Sequence, residues 1–397
     1  MTDEKVDIVV IGAGPAGLIA AREAAKRGTN VAVLEEHGEI GSPCHCAGLL
    51  SIKGLAEIGV PLNDNFIQNK IRGAYFYSPS KLSFMIERKE YVACLVDRTA
   101  FDKFLAQQAL REGAKVRLGS EVRFVKRVNG KIVVGGRWGS ITADVVVDAE
   151  GVASRNLREI GLQFLSRGCI LPALQYDLVG VDVDPRHVEV HLSNKTAPGF
   201  FAWIIPINEN SARVGLACRE ANPYERLEAF IKGRFGENRS RISTRSGLIA
   251  TCGPLKKTFS GNLIVVGDAA GQSKPITGGG VILGGLCAMI AGEVAAEAVK
   301  RRDFTSNYLR RYEILWRRRL GREFKLTLLA RKITNRLSDK TIDEIFKAII
   351  ESNLQSELSM KGDMDLQGKT ILRILKKRSL LKVLSLAIKG SLLDSTG

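Results

Sequence analysis

Val6-Asp7-Ile8-Val9-Val10-Ile11-Gly12-Ala13-Gly14-Pro15-Ala16-Gly17 decides the fold: an apolar strand runs straight into a glycine-rich turn that opens a helix. Gly12 permits the tight turn, Gly14 lets the backbone approach a pyrophosphate, and Gly17 lets the helix over 18–27 pack on the strand with its positive N-terminus toward the phosphates. Gly28 stops that helix, and 31–34 reads as the next strand. Glu35 at its end is placed to accept hydrogen bonds from a ribose, which favours an adenosine without a 2′-phosphate. The glycine pattern alone is a weak signal. The strand before it, the helix after it and the acid at this offset together predict a dinucleotide-binding βαβ unit.

Two further segments separate a flavoprotein from a nicotinamide dehydrogenase. Asn262-Leu263-Ile264-Val265-Val266-Gly267-Asp268-Ala269-Ala270-Gly271 reads as a buried strand ending in a Gly-Asp turn, and Pro275-Ile276-Thr277-Gly278-Gly279-Gly280-Val281 opens a long small-residue helix. This arrangement lets Asp268 bind a ribityl hydroxyl while the Gly278, Gly279 and Gly280 amides meet the flavin end of FAD. Between the two, Asp97-Arg98-Thr99-Ala100-Phe101-Asp102 offers a helix start at Asp97 or Thr99 and a guanidinium, Arg98, for a phosphate. The three segments in this order resemble the glutathione-reductase-like FAD fold in its aromatic-hydroxylase branch.

Four segments narrow the resemblance to the archaeal geranylgeranyl reductase family, which includes the digeranylgeranylglycerophospholipid reductases. Gly41-Ser42-Pro43-Cys44-His45-Cys46-Ala47-Gly48 resembles that family's cysteine-bearing loop beside the flavin, and Ala173-Leu174-Gln175-Tyr176 its first substrate-domain strand. Pro198-Gly199-Phe200-Phe201-Ala202-Trp203-Ile204-Ile205-Pro206 is similar to the PxxYxWxFP signature, and 275–280 to the PxTGGG loop. There are two departures: Phe201 stands where the family usually has Tyr, and Glu150 replaces the Asp of the usual ADG in Asp148-Ala149-Glu150-Gly151. The resemblance adds Ala16, Ala47, Leu49, Val122 and Val281 to the cofactor-binding set, beside Cys46. It implies a flavin-dependent reductase that saturates isoprenoid double bonds of archaeal membrane-lipid precursors by hydride from FAD N5 plus a proton.

Such an alkene is unactivated, so the site must be dry, aromatic and able to deliver one proton. In an extended 200–205 segment, alternation puts Phe201, Trp203 and Ile205 on one face, where rings can stabilise developing positive charge. The catalytic set is Cys46, Phe201, Trp203 and Tyr176. Cys46 is placed beside the flavin by resemblance; with Tyr absent at 201, an ordered water or Tyr176 is an alternative proton donor. The reductant is NAD(P)H docking transiently or a reduced ferredoxin. Two other readings compete: a monooxygenase or halogenase on the same fold, and a non-catalytic lipid-binding flavoprotein.

The predicted fold class is α/β (α+β): a discontinuous FAD-binding Rossmann domain over 1–70, 95–165 and 255–300, a β-sheet substrate domain over 71–94 and 166–254, and a helical basic region over 301–397. With no signal-peptide pattern and with apolar runs broken by glycine or charge, a cytoplasmic enzyme without a spanning helix is expected. Seven cysteines without regular spacing suggest reduced thiols, and the four histidines suggest no metal site. Of a formal net charge of +17, residues 300–397 carry +12, from 23 Lys and Arg against 11 Asp and Glu. Residues 370–389 read as an amphipathic helix with Ile371, Leu375, Leu384 and Ile388 apolar, suited either to peripheral contact with an anionic membrane or to docking on the protein itself. No nucleic-acid recognition motif accompanies the charge.

Overall fold

The computed structural model describes residues 4–158, 161–163, 165–237, 239–375 and 385. The strand Glu4–Ile11 lies at the centre of an eight-stranded sheet, parallel to Gly139–Asp148 on one side and Val31–Leu34 on the other. Lys115–Arg117 extends the sheet beyond Val31–Leu34, and Leu263–Val265 then Phe259–Ser260 extend it the other way. Ile8 and Val10 face one core cluster, with the helices Pro15–Ala25, Arg98–Arg111 and Val281–Arg301; Val9 and Ile11 face a second. A strand covered on both faces needs an unbroken apolar run, which is what the opening sequence supplies. Pro15 occupies the first turn of its helix, where no intrahelical donor is lost, so that helix begins three residues before residue 18. Asn129 and Gly130, both at positive φ, turn Phe124–Val128 into Lys131–Gly136, which pairs on to Gly139–Asp148.

A second sheet has seven strands in the order Ser240–Ala250, Ile170–Val179, Ser211–Ala217, Ala202–Asn208, His187–His191, Gly73–Tyr77 and Ser83–Glu87. One face packs under the helix Pro223–Phe235; the other carries Leu171, Trp203 and Ile205. A small third sheet, Leu49–Ser51, Ala93–Val96 and Ile67–Ile71, lies where the chain passes between the two large sheets.

Four helices follow: Ser306–Thr334, Asp339–Glu351, Leu354–Lys361 and Gln367–Leu375. The second rests on the edge of the seven-stranded sheet, with Phe346 against Phe84 at 5.0 Å and Asp343 accepting hydrogen bonds from the Ser78 and Ser80 hydroxyls. Arg88 donates to the Met360 and Gly362 carbonyls and so holds the third in place. Of the amphipathic helix expected over 370–389, residues 376–384 and 386–389 lie outside the described residues. Among the described helices Val281–Arg301 is long and apolar enough to cross a membrane, but Leu283, Leu286, Ala291 and Ala295 are buried in the core beneath Pro15–Ala25.

The cysteines correct one expectation. Cys169 and Cys252 form a disulfide, with Cα atoms 5.2 Å apart, while Cys44, Cys46, Cys94, Cys218 and Cys287 are free. The antiparallel register pairs Ile170 with Ala250, and Thr251 N–H donates to the Cys169 carbonyl, so the residues just beyond both strand ends meet. A separation of 83 residues hides this proximity in the sequence.

Candidate active site

A continuous cavity of about 1670 Å³ runs between the two large sheets. This exceeds the roughly 300–1,000 Å³ of a pocket for one small molecule and gives room for a dinucleotide and an alkyl chain together. At one end lie Gly12, Gly14, Ala16 and Glu35. Gly12 has φ +93°, and a Cβ there would meet the Ala149 carbonyl oxygen at 2.5 Å, so the turn admits only glycine. Nothing lies within 4 Å of a Cβ placed on Gly14, which leaves the space a pyrophosphate needs. No side chain caps the Pro15–Ala25 helix, and its first-turn amides stay available to an anion. Glu35 Oε2 accepts from Ala13 N–H at 2.8 Å and Oε1 from His37 N–H at 3.0 Å, which fixes the carboxylate beside the loop.

Asp97 caps Arg98–Arg111 by accepting from Ala100 N–H at 2.9 Å, and this aims Arg98 into the cavity. Asp102 grips the guanidinium at 3.0 Å. Burial alone would lower the pKa of Arg98, but the Asp102 charge more than offsets it, so Arg98 is a fixed cation. Facing it across the cavity, burial raises the Asp268 pKa while Arg98 pulls it back. A Cβ on Gly280 would fall 2.3 Å from Asp268 Oδ1, so that carboxylate packs directly on the loop, and Gly278, Gly279 and Val281 line the cavity beside it. The uncapped loop and helix end, a fixed cation, a buried acid at Asp268 and an open second helix N-terminus at Val281 fit FAD. Val122 lines the same stretch, as does Glu150, whose longer arm reaches the Asn156 side-chain amide at 2.6 Å. Burial raises the pKa of both Glu150 and the neighbouring Asp148.

Further along the cavity are Cys44, Cys46, Ala47 and Leu49. The Cys46 thiol accepts from Gly48 N–H at 3.4 Å. Arg213, itself bound to Asp177 at 2.7 Å, donates to the Ala47 carbonyl at 2.7 Å and ties this loop to the seven-stranded sheet. Burial pushes the Cys44 thiol up, against the pull of Arg98. Phe201, Trp203 and Ile205 face the same space, while Ala202 and Ile204 point to the opposite cluster. Phe200 stacks on Phe201 at 4.3 Å, and Trp203 meets Phe201 edge-on at 6.1 Å.

Tyr176 is placed elsewhere, a correction to its role as a proton donor. The pleat puts Leu171, Ala173 and Gln175 on the cavity side and Tyr176 on the opposite side, buried in the cluster with Leu227 and Ile231 and with the Arg241 guanidinium 4.7 Å from its ring. Gln175 is the neighbour that lines the cavity. Gln175 and Trp203 flank Gly215 in register, and a Cβ there would lie 2.6 Å from each. Both polar atoms of the Gln175 amide and Trp203 Nε1 are buried without a hydrogen-bond partner among the described residues.

The far wall comes from the C-terminal helices. Ile342, Ile345, Phe346 and Ile349 line the cavity from one face of Asp339–Glu351, and Leu358 and Met364 continue it. Their i, i+3, i+4, i+7 spacing is the sequence signal that identifies this wall. Lys274, in the flavin loop, forms a buried pair with Asp365 at 3.1 Å and joins wall to cofactor site.

An FAD binding domain family model matches residues 5–285. The chain is 36% identical over 360 residues to digeranylgeranylglycerophospholipid reductase 2 of Methanothermobacter thermautotrophicus, covering 89% of this chain and 94% of that protein. It is 34% identical over 358 residues to digeranylgeranylglycerophospholipid reductase of Methanocaldococcus jannaschii, covering 87% and 91%. Among solved structures, a geranylgeranyl bacteriochlorophyll reductase-like protein from Thermoplasma acidophilum superposes with a TM-score of 0.86 at 29% identity, covering 96% of this chain and 99% of that one. A flavin-dependent brominase superposes with a TM-score of 0.71 at 18% identity, a likeness of fold.

Proposed function

Because the chain belongs to the digeranylgeranylglycerophospholipid reductase family of FAD-binding proteins, we infer that it saturates the geranylgeranyl double bonds of archaeal-type phospholipid precursors. It is an FAD-dependent oxidoreductase acting on CH–CH groups. The observation that carries this reading is the continuity of the cavity, from the dinucleotide loop at Gly12 to an apolar section walled by Phe76, Phe84, Phe201, Trp203 and Phe346.

Gly12, Gly14, Ala16, Glu35, Arg98 and Asp268 would hold the cofactor, with Gly17 letting the helix close on the Gly12 turn, and Gly278, Gly279 and Gly280 would receive its flavin end. Bound there, FAD supplies two-electron reducing chemistry to the alkene. The chain's own work is to exclude water, to steady positive charge at the tertiary carbon and to deliver a proton. The Phe201 and Trp203 rings serve the second need by cation–π attraction. The proton comes from the Cys46 thiol or from a water held between the Gln175 amide and Trp203 Nε1. Cys46→Ala with full FAD content and alkene saturation down about a hundredfold assigns it to the thiol; unchanged saturation excludes the thiol and leaves the water as the source.

The electron donor is NAD(P)H docking transiently or a reduced ferredoxin; the net charge of +17 favours an acidic ferredoxin. The same charge supports work at the anionic cytoplasmic face of the membrane, with the basic chain after residue 365 as the contact. Co-sedimentation with anionic vesicles, lost in high salt and on truncation at that point, tests this; equal binding by both forms refutes it. The function itself is tested by anaerobic reduction of the holoprotein, addition of a geranylgeranyl glycerophospholipid and mass spectrometry. Gain of two hydrogens per double bond is expected. Gain of oxygen in air identifies an oxygenase, and an unchanged lipid identifies a binding protein.

A further inference from the structure

Arg331, near the end of the helix Ser306–Thr334, lines the cavity yet is only 6% exposed. Its guanidinium lies 5.1 Å over the Phe200 ring and donates to the Gly199 carbonyl, while Nε is buried without a hydrogen-bond partner among the described residues. Among the described residues no acid offsets the charge: burial and the neighbouring cation Arg219 push its pKa down to about 10. Arg219 flanks the same turn, its Cβ 3.3 Å from where a Gly199 Cβ would stand. Ser193, Asn194, Thr334 and Asn335 add polar lining at this end of the cavity. Asp339, the acid beside them, is taken up by the Ser193 hydroxyl and the Asn194 backbone N–H.

A guanidinium removed from water without a counter-ion is strongly disfavoured, and a fold that keeps one facing a ligand cavity is completed by an anion. The planar fork of Arg suits phosphate oxygens in particular. We propose that Arg331, with Arg219 behind it, is an anion anchor that takes the phosphate of the lipid head group. This rests on the reductase reading above. Phe200, the ring under Arg331, has its Cζ 3.5 Å from where a Gly278 Cβ would stand in the flavin loop. An anchored phosphate therefore sits about one aromatic ring from the cofactor site and sets which double bonds reach it.

The test compares two substrates that differ only in the phosphate, digeranylgeranylglyceryl phosphate and digeranylgeranylglycerol, in neutral detergent micelles. The readout is the ratio of their kcat/KM values. Wild type prefers the phosphate form, and in Arg331→Met that ratio falls by about tenfold to a hundredfold, the range for a lost charge-assisted hydrogen bond. Arg331→Lys keeps the charge but not the fork; it shows a smaller fall in the same ratio and supplies the test if Arg331→Met does not retain FAD. An unchanged ratio, even with both activities lowered, marks Arg331 as a structural cation and overturns the proposal. A titration with inorganic phosphate distinguishes the source of the anion. Competition confined to the phosphorylated lipid supports the head group, whereas an effect on the neutral lipid that vanishes in Arg331→Met identifies a free-phosphate site and overturns it. A wild type that reduces neither lipid defeats the reductase reading instead.

Discussion

Lys274→Met separates the joint between the flavin loop and the C-terminal wall. Lys274 Nζ lies 3.1 Å from Asp365 Oδ1 and 3.3 Å from the Met364 carbonyl, and both side chains of the pair are 9% exposed. Two unit charges at that spacing attract by about 5 kcal/mol at an effective dielectric of about 20, and much of this is offset by the desolvation of both groups. The larger effect appears when one partner is removed and Asp365 is left buried alone beside Gly54, where a Cβ would fall 2.5 Å from Asp365 Oδ2. We therefore expect Lys274→Met to cost about 3–5 kcal/mol, and Lys274→Met with Asp365→Leu to recover to within about 1 kcal/mol of wild type. Urea denaturation of wild type, Lys274→Met, Asp365→Leu and the double variant, followed by flavin absorbance and by tryptophan fluorescence, gives the coupling energy. The flavin signal is expected to release first in the single variant, because Lys274 also exchanges backbone hydrogen bonds with Gly278 and Gly279. A single variant within about 1 kcal/mol of wild type, or a double variant as unstable as the single, refutes the assignment of this pair as the joint.

Glu35→Ala is expected to weaken FAD by about tenfold to a hundredfold in Kd, read by flavin fluorescence on dilution, since charge-assisted hydrogen bonds of about 1.5–3 kcal/mol are lost; unchanged affinity removes Glu35 from the ribose. Thiol titration of the unfolded protein should give five thiols before reduction and seven after it. Cys169→Ala with Cys252→Ala is expected to lower stability by on the order of 4 kcal/mol, because the bridge closes an 83-residue loop. Burial alone would raise the Asp177 pKa, but Arg213 and Arg245 hold it below the ordinary carboxylate range. Its contribution is therefore present above the unfolded value near pH 4 and is lost as pH falls through the depressed folded value. Asp177→Asn should flatten the stability loss below about pH 4 in acid titrations monitored by circular dichroism, and an unchanged acid limb counts against the ion pair.

The cofactor half of the site is legible because its determinants are local. Gly12, Glu35, Asp268 and Gly278–Gly280 lie in short motifs whose spacing encodes their own geometry. Strand alternation likewise orients Phe201, Trp203 and Ile205. The same alternation applies to Ile170–Val179, but hydroxyl chemistry favoured Tyr176 over its neighbour Gln175, and the pleat decides otherwise. The spacing of Ile342, Ile345, Phe346 and Ile349 is readable, yet the basic charge around it drew attention to the surface rather than to the cavity. Lys274 with Asp365, Arg331 over Phe200, and Cys169 with Cys252 join residues 80 or more positions apart. Such pairings are set by how the sheets and late helices pack, and no local pattern announces them.

The Cys169–Cys252 bridge also describes how the molecule is put together. It joins the two points where the chain leaves for the seven-stranded sheet and where it returns, and these points are 5.2 Å apart at Cα. Everything between them, including the strands with Gln175, Trp203 and Arg213, behaves as a cassette with a closed neck. Besides this neck, the segment is tied to the rest of the chain by Arg213 on the Ala47 carbonyl and by Ser193 and Asn194 on Asp339, so a change in its length is absorbed away from those contacts. Gly73–Tyr77 and Ser83–Glu87 enter the same sheet through a different opening, so a transplanted cassette must carry an edge that matches the pairing of His187–His191 with Gly73–Tyr77. Exchanging substrate preference between members of this fold thus requires this neck and strand edge to be matched to the wall that Arg331 and Phe346 contribute from outside the bridge.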